Sequence, residues 1–187
     1  MDALPANTLL LLDEAYVECA PEGTAVPVDI EDSRIVRMRT FSKVYGIAGA
    51  RVGYAIGASE LITAFNKVRN HFGMTRIAQA GALAALEDQA WITRVQQEIT
   101  TARDRISLIA HENGLDPLPS ATNFVTIDCG RDGTFSKAVL DGLVAAGIFV
   151  RMPFAAPQNR CIRVSAGTRS DLNAFEAALP KVLAELR

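Results

Sequence analysis

The segment TFSKVYGIAGARVGYAIG, residues 40–57, contains a single lysine, Lys43, among small and apolar residues. Lysine is rarely buried unless it is paired or used in chemistry. A partly desolvated amine is nucleophilic and forms a Schiff base with a carbonyl compound. Ser42 and Arg51 add a hydroxyl and a guanidinium, which suit a phosphate, and the glycines of the segment allow the backbone to approach a ligand closely. The alternative interpretation is a surface lysine in a turn that follows a strand.

A carboxylate with a second chemical role is Asp13, which follows a run of four leucines. If that run is a buried strand, Asp13 lies at its carboxyl end, where open α/β sheets bind ligands. An acid in this place would keep the ring nitrogen of a pyridine aldehyde cofactor protonated. Tyr16 would then hydrogen-bond the phenolic oxygen of the same ring. A capping role for Asp13 and an ordinary half-buried position for Tyr16 are the alternatives.

Three strands are expected to position these residues, at 8–14, 34–41 and 51–57. Their apolar runs are continuous, which is typical of a sheet that is covered on both faces. Residues 19–33, rich in proline, glycine and acids, are predicted to form a loop. Three strands with few helices to cover them do not complete a doubly wound sheet, so we expect the chain to begin in the middle of a domain.

The period of the apolar residues changes to that of helices from Ser59 onward. Helices are predicted at 59–70, with Ser59 as the N-cap, and at 76–88. A third helix has an apolar stripe and ends before Gly114. The members of that stripe are Ile92, Val95, Ile99, Ala102, Ile106 and Ile109.

The last third of the chain is predicted to be a compact α+β unit. Its predicted elements are strands at 123–128, 148–151 and 161–167, a helix at about 134–146 that ends at Gly147, and a final helix from Ser170.

Composition limits the classes of function. The 187 residues carry a net charge of −2, which argues against a nucleic acid partner. The apolar run at 9–12 is too short to span a membrane, and residues 1–8 lack a basic region, so we expect no signal peptide. Cys19, Cys129 and Cys161 are widely spaced, so we expect reduced thiols of a cytoplasmic protein and no disulfide framework or zinc site. With two histidines in the chain, we expect no metal centre.

Five segments occur in the order and spacing of a known family. They are LLLLDEAYVE, RTFSKVYGIAGARVGYAIG, RIAQAGALAALED, LPSATNFVTID and IRVSAGT. With them the chain resembles the C-terminal half of fold-type I pyridoxal-phosphate-dependent aminotransferases (class I/II), closest to the histidinol-phosphate aminotransferase branch. The resemblance implies an α/β fold, in which part of the large-domain sheet precedes a small α+β domain. The implied limits are 1–75 for the partial large domain, 76–113 for connecting helices and 114–187 for the small domain.

The resemblance also implies roles for the cofactor-binding residues. Lys43 would bind pyridoxal 5′-phosphate covalently and later move the substrate proton. Asp13 would pair with the pyridine nitrogen and Tyr16 with the ring oxygen, while Ser42 and Arg51 would hold the phosphate.

Two arginines of the last third are implied to bind substrate. Arg163 matches the arginine that binds the acidic end of the substrate, and Arg151 matches its helper. A planar guanidinium suits a carboxylate or a phosphate equally, so arginine identity leaves both open. A surface arginine at a strand edge is the alternative for each.

The implied activity is transamination of histidinol phosphate or an aromatic amino acid, with 2-oxoglutarate as the amino acceptor, by a cytoplasmic homodimer. One alternative is a catalytically silent truncated half that acts as a dimerising or complementing domain. Another is a related phospho-amino-acid decarboxylase that uses the same cofactor. No nucleic acid or membrane partner is expected.

Overall fold

The structure is a computed structural model that describes residues 4, 5 and 7–186. The described chain forms two compact units, the first extending to Gln96 and the second beginning at Gln97. Both units combine strands with helices, as the sequence predicted. The boundary between them falls inside a long helix, and the predicted domain limits at 75 and 113 stay predictions.

A three-stranded sheet organises the first unit. Its strands are β1 (Leu10–Asp13), β2 (Ile35–Thr40) and β3 (Gly53–Gly57), in the spatial order β1-β2-β3. β1 is parallel to β2, and β3 is antiparallel to β2. All three strands were predicted, with bounds that were at most two residues longer at either end. Between the first two strands the chain is irregular apart from a 3₁₀ turn at Val17–Cys19.

The predicted cover on both faces of this sheet is wrong for β1 and for part of β2. Exposure alternates along β1, where Leu11 is 56% exposed. On β2, Ile35 and Val36 are buried, whereas Met38 is exposed. Successive side chains of a strand point to opposite faces, so in this chain β1 is covered on one face by other residues and is open on the other.

Helices follow the sheet at Ser59–Val68 (α1), Arg76–Glu87 (α2) and Gln89–Glu112 (α3). Ser59 was predicted to be the N-cap of α1, but Ala58 holds that position and no side chain caps the helix. Thr75 caps α2 by accepting a hydrogen bond from the Ala78 N–H. The predicted stripe of α3 is confirmed as buried except at Val95, which is half-buried. The chain leaves α3 through Gly114, whose φ of +73° favours glycine.

The second unit contains an antiparallel sheet in the order β4-β5-β6. Its strands are β4 (Asp116–Pro117), β5 (Phe124–Asp128) and β6 (Cys161–Ser165), and its helices are α4 (Gly133–Ala145) and α5 (Arg169–Glu185). One core of aliphatic side chains and Phe175 lies between sheet and helices. The sequence analysis did not predict β4, which has two residues only and is too short to show a period.

The predicted strand at 148–151 is wrong, since only an isolated bridge between Arg151 and Arg163 forms there. The two residues exchange both backbone hydrogen bonds, Arg151 N–H to Arg163 O at 3.1 Å and the reverse at 2.6 Å. The next donor in such a ladder would be residue 153, which is proline and has no N–H. The ladder therefore does not continue beyond Arg151.

Candidate functional site

Lys43 lies in a closed loop between β2 and β3, residues 41–52, called here the lysine loop. The Phe41 N–H donates to the Val52 carbonyl at 3.1 Å and closes the loop at its base. Within it, the Gly46 N–H donates to the Lys43 carbonyl at 2.9 Å, and Gly46 has a φ of +75°. A residue with a side chain would be strained there, so this glycine permits the turn that follows Lys43.

Aromatic side chains anchor the lysine loop to the first unit. The ring centroid of Phe41 lies 4.6 Å from that of Tyr45 and 5.6 Å from that of Tyr54. Phe41, Val44 and Tyr45 are buried, and burial raises the pKa of the Tyr45 hydroxyl. Buried residues therefore lie before and after Lys43 in the loop, while Lys43 itself is half-buried.

Lys43 contacts Tyr16, as a shared site requires. The Nζ of Lys43 lies 4.8 Å from the centroid of the Tyr16 ring, a cation–π distance. Tyr16 follows β1 and Lys43 follows β2, and these strands are parallel neighbours. Because the carboxyl ends of parallel strands meet at one sheet edge, chain segments that follow them come together.

Asp13 ends β1 at this same edge, where it is paired in register with Met38 of β2. One carboxylate oxygen accepts a hydrogen bond from the Ala15 N–H at 3.0 Å. Asp13 is exposed. The structure places Asp13 at the predicted strand end and leaves its carboxylate accessible.

Ser42 and Arg51 occupy one end of the lysine loop. They adjoin Phe41 and Val52, which are joined by the hydrogen bond at its base. Arg51 donates from its guanidinium to the Ala48 carbonyl at 2.9 Å, and its backbone has a left-handed φ of +56°. A left-handed residue other than glycine costs about 1 kcal/mol, and such strain gathers at functional sites. Both predicted phosphate-binding residues thus lie within one short segment.

The sequence analysis missed a cluster of ion pairs around Glu14, the residue that follows Asp13. Glu14 is 7% exposed and forms salt bridges with Arg37 and Arg39 of β2. Burial alone would raise the pKa of Glu14, but the hydrogen bonds from the two arginines outweigh it and the pKa is lowered. Two arginines spaced by two residues on a strand share a face, and this spacing was the available signal.

Glu18, near the same cluster, has the opposite electrostatic setting. Its Oε1 is buried without a hydrogen-bond partner among the described residues and lies 3.9 Å from Nη1 of Arg39. Burial raises the pKa of Glu18. Arg39 is already engaged by Glu14, so it compensates the second carboxylate only in part.

Arg151 and Arg163 come together in the second unit through their backbone bridge. Directly opposed residues of an antiparallel pair project to the same face. Both line a cavity of about 820 Å³. The Arg163 guanidinium lies 4.6 Å from the Phe124 ring centroid, and that of Arg151 lies 5.9 Å from the Phe149 ring centroid. The remaining lining residues are Lys137, Leu140, Phe149, Val150, Met152, Pro153, Phe154 and Asn159.

Metal-ion clusters and membrane-spanning helices are both absent from the described part of the chain. Residues 4, 5 and 7–186 contain no cluster of three or more histidine, cysteine, aspartate or glutamate side chains that could hold a metal ion. Over the same residues, the helices are too short or too polar to cross a bilayer.

Comparison with known proteins gives consistent matches along the chain. The sequence model of the family Aminotransferase class I and II matches residues 2–179. A histidinol-phosphate aminotransferase of Geobacillus thermodenitrificans is 39% identical over 172 residues, which are 90% of this chain and 46% of that protein. An aromatic amino acid aminotransferase of Nocardia farcinica is 38% identical over 194 residues, with 100% of this chain and 52% of that protein covered.

A solved structure is also closely similar. Histidinol-phosphate aminotransferase from Sinorhizobium meliloti, in complex with pyridoxal-5′-phosphate, matches with a TM-score of 0.96 and 49% sequence identity. The match covers 100% of this chain and 52% of that one. The chain spans about half the length of the relatives it matches.

Proposed function

Because the chain belongs to the aminotransferase class I and II family, we propose that it carries the cofactor lysine and the substrate arginines of a pyridoxal 5′-phosphate-dependent aminotransferase. The observation that carries the proposal is the Lys43 amine against the Tyr16 ring at the carboxyl edge of β1 and β2. A nucleophilic amine at the ligand-binding edge of a sheet has the chemistry that an aldehyde cofactor requires.

The donor groups of the first unit fit this cofactor. An amine, an accessible carboxylate, a phenol, a hydroxyl and a guanidinium complement an aldehyde, a pyridine nitrogen, a ring oxygen and a phosphate. These groups belong to Lys43, Asp13, Tyr16, Ser42 and Arg51. When bound, the cofactor supplies an electron-withdrawing ring that stabilises negative charge at the substrate carbon.

Each residue then has a defined task. Asp13 would hold a proton on the pyridine nitrogen. The neighbouring carboxylate, Glu14, would not take this role because it forms salt bridges with Arg37 and Arg39. Tyr16 donates a hydrogen bond to the ring oxygen. Lys43 would hold the cofactor at its aldehyde carbon, and its amine would take the proton of the substrate α-carbon as a general base.

The cavity of the second unit supports a substrate with an acidic group and an apolar part. Arg163 and Arg151 supply guanidinium donors for a carboxylate or phosphate. We propose histidinol phosphate as the amino donor and 2-oxoglutarate as the acceptor, which agrees with the relative from Geobacillus. Aromatic amino acids are the second candidate, favoured by Phe149 and Phe154 in the cavity wall.

We propose further that the whole protein acts as a homodimer in the cytoplasm. Large apolar side chains at Val68, Phe72 and Ile77 are 83%, 94% and 86% exposed, and such surface favours association. The three cysteines are buried and free, which suits a reducing compartment. Light scattering should give the mass of two chains, whereas a monomer at all concentrations would argue against the dimer.

Covalent labelling tests the cofactor proposal. The chain has four lysines, so pyridoxal phosphate followed by borohydride reduction and peptide mapping can separate them. We expect a visible absorption band and a reduced adduct on Lys43. Lys43→Ala should lose both, whereas Lys67→Ala, which removes an exposed lysine of α1, should retain both. An adduct spread evenly over the lysines would overturn the proposal.

Product analysis with the full-length protein tests the reaction. Histidinol phosphate and 2-oxoglutarate should give glutamate, and Arg163→Ala should raise the KM for the amino donor by about tenfold or more, since it removes a charged bidentate contact. Carbon dioxide release without consumption of the oxo acid would instead indicate a decarboxylase.

A further inference from the structure

Trp91, at the start of α3, contacts the lysine loop from a distant part of the sequence. Its indole Nε1–H donates to the Val44 carbonyl at 3.1 Å, across 47 residues of sequence. Its Cζ2 atom lies 3.5 Å from the place where a side chain on Gly46 would begin. Val44 directly follows Lys43, and Gly46 closes the turn onto the Lys43 carbonyl. The ring therefore contacts Val44 and lies beside Gly46, the two residues that shape the Lys43 turn.

Trp91 is itself held by contacts outside the lysine loop. Its backbone N–H donates to the Asp88 carboxylate at 3.0 Å, which fixes it in the first turn of α3. The Arg94 guanidinium lies 4.7 Å from the ring centroid, and the neighbouring Ile92 is buried. The Trp91 backbone is thus held at the start of α3, and Arg94 of the same helix lies over the ring.

We propose that Trp91 is a positioning residue that holds the Lys43 turn in the geometry needed for reaction with the cofactor aldehyde, an inference that rests on the proposed function above. The Val44 carbonyl and the Gly46 turn belong to a loop with two glycines, at 46 and 49, whose backbone is intrinsically free to move. A side-chain donor at Val44 removes that freedom next to the reacting amine. When a reacting group is displaced by a small distance, its reaction is slower and the adduct forms less readily.

Two substitutions separate the hydrogen bond from the bulk of the ring. Trp91→Phe keeps an aromatic ring but has no N–H, and Trp91→Ala removes both. The matched control is Phe65→Leu, an aromatic of the same unit that is 39% exposed. Urea unfolding of all variants shows whether a change at Lys43 follows from lost stability.

The first readout does not need the cofactor. Amide hydrogen exchange at Gly46 measures opening of the Lys43 turn, and reductive methylation with formaldehyde measures the reactivity of Lys43 against the other lysines. Loss of one neutral hydrogen bond corresponds to about a fivefold faster exchange at Gly46 in Trp91→Phe, with a larger effect in Trp91→Ala. Phe65→Leu should exchange as the unsubstituted chain does.

The second readout uses pyridoxal phosphate itself. Trp91 is the single tryptophan of the chain, so adduct formation at Lys43 should quench its fluorescence in parallel with the absorption band. Trp91→Phe should weaken adduct formation at Lys43 by about fivefold, again the loss of one hydrogen bond, with labelling of the other lysines unchanged.

The outcomes distinguish this inference from the proposed function. If the unsubstituted chain forms no adduct, the proposed function fails, and Gly46 exchange still decides whether Trp91 restrains the turn. If Lys43 is labelled equally in the unsubstituted chain and in Trp91→Phe, and Gly46 exchange is unchanged, the positioning role is overturned. A loss of urea stability without a change at Gly46 or Lys43 would also overturn it, because Trp91 would then have a general structural role.

Discussion

Two consecutive carboxylates at the end of β1 illustrate how the environment of a residue decides its role. Asp13 is exposed and accepts one backbone hydrogen bond, whereas Glu14 is buried between two arginines. Neighbouring residues of a strand project to opposite faces, so one carboxylate reaches the ligand edge while the next enters the protein. Glu14 also ties the end of β1 to β2 through its N–H, which donates to the Met38 carbonyl at 2.9 Å.

Isosteric amides should separate these two roles. Glu14→Gln leaves Arg37 and Arg39 without their charged partner, and we expect a loss of about 3 kcal/mol in the free energy of unfolding, as for a broken buried ion pair. Asp13→Asn should change stability by less than about 0.5 kcal/mol, as expected of an exposed site, while altering the absorption band of bound cofactor. Urea unfolding followed by circular dichroism measures the first effect. Equal destabilisation by both amides would contradict the assignment.

At the scale of elements, close contacts in the second unit depend on small side chains of α4. Ser136 is buried and its hydroxyl donates to the Arg160 carbonyl at 2.6 Å, which ties α4 to the segment before β6. Gly142 faces Val182 of α5, where an added Cβ would lie 2.5 Å from Cγ1. Valine is stiff at χ1 and Val182 is buried, so it has little freedom to move away.

Two glycine-to-alanine substitutions should have opposite effects on stability. Gly142→Ala gains helix propensity but overpacks against Val182, and we expect a net loss of about 1 kcal/mol. Gly81→Ala in α2 meets no atom within 4 Å and should gain about 0.5–1 kcal/mol. Urea unfolding of each variant checks the sign. Stabilisation by Gly142→Ala would mean that α4 and α5 are less closely packed than described.

Over the whole molecule, ion pairs and hydrogen bonds stabilise ionised carboxylates in both units. Burial of Glu14 is outweighed by Arg37 and Arg39, so its pKa is lowered, and hydrogen bonds from Arg34 lower the pKa of Asp32 to about 2.

In the second unit the pKa of Asp128 is lowered by the Gly130 N–H and Arg160 against the effect of its desolvation, and that of Asp171 by hydrogen bonds from Thr168. Glu18 is the exception, since burial raises its pKa.

These shifts predict that acid destabilises the chain. A lowered pKa in the folded state contributes stability above the ordinary pKa, which is 4.5 for Glu14 and 3.8 for Asp32. That stability is lost as the pH falls through the lowered values. Glu18 acts in the opposite sense, because its contribution is present below pH 4.5 and is lost as the pH rises through its raised pKa.

The unfolding free energy should therefore fall as the pH is lowered from 5 to 2. The four carboxylates with lowered pKa values destabilise the chain over this range, and only Glu18 acts against them. Urea titrations at several pH values across this range measure the slope. Glu14→Gln should reduce the slope, since it removes one of the titrating groups. A stability that is constant down to pH 3 would contradict the prediction.

Local sequence was sufficient for most of the elements, whereas the roles of the candidate site residues stay predictions. The predicted family and the predicted α/β fold class are confirmed. Apolar periodicity and glycine positions are local signals that can be read from adjacent residues. For this reason β1, β2, β3 and the five helices were predicted with small errors at their ends. Lys43 and Asp13 could be selected because their residue types are unusual beside apolar strands.

Tertiary structure decided the features that depend on residues far apart in the chain. The partners of Glu14 are 23 and 25 residues away, and the partner of Trp91 is 47 residues away. Such contacts leave no period in the sequence. The spacing of Arg37 and Arg39 indicates that they share a face, but neither their pairing with Glu14 nor the indole contact with the Lys43 turn follows from local pattern. The strand expected at 148–151 was wrong for the same reason, because strand pairing depends on a partner segment elsewhere in the chain and only Arg151 finds one, in Arg163. A chain can indicate from local pattern which residues are available for chemistry, but long-range contacts decide which of them are held in place for it.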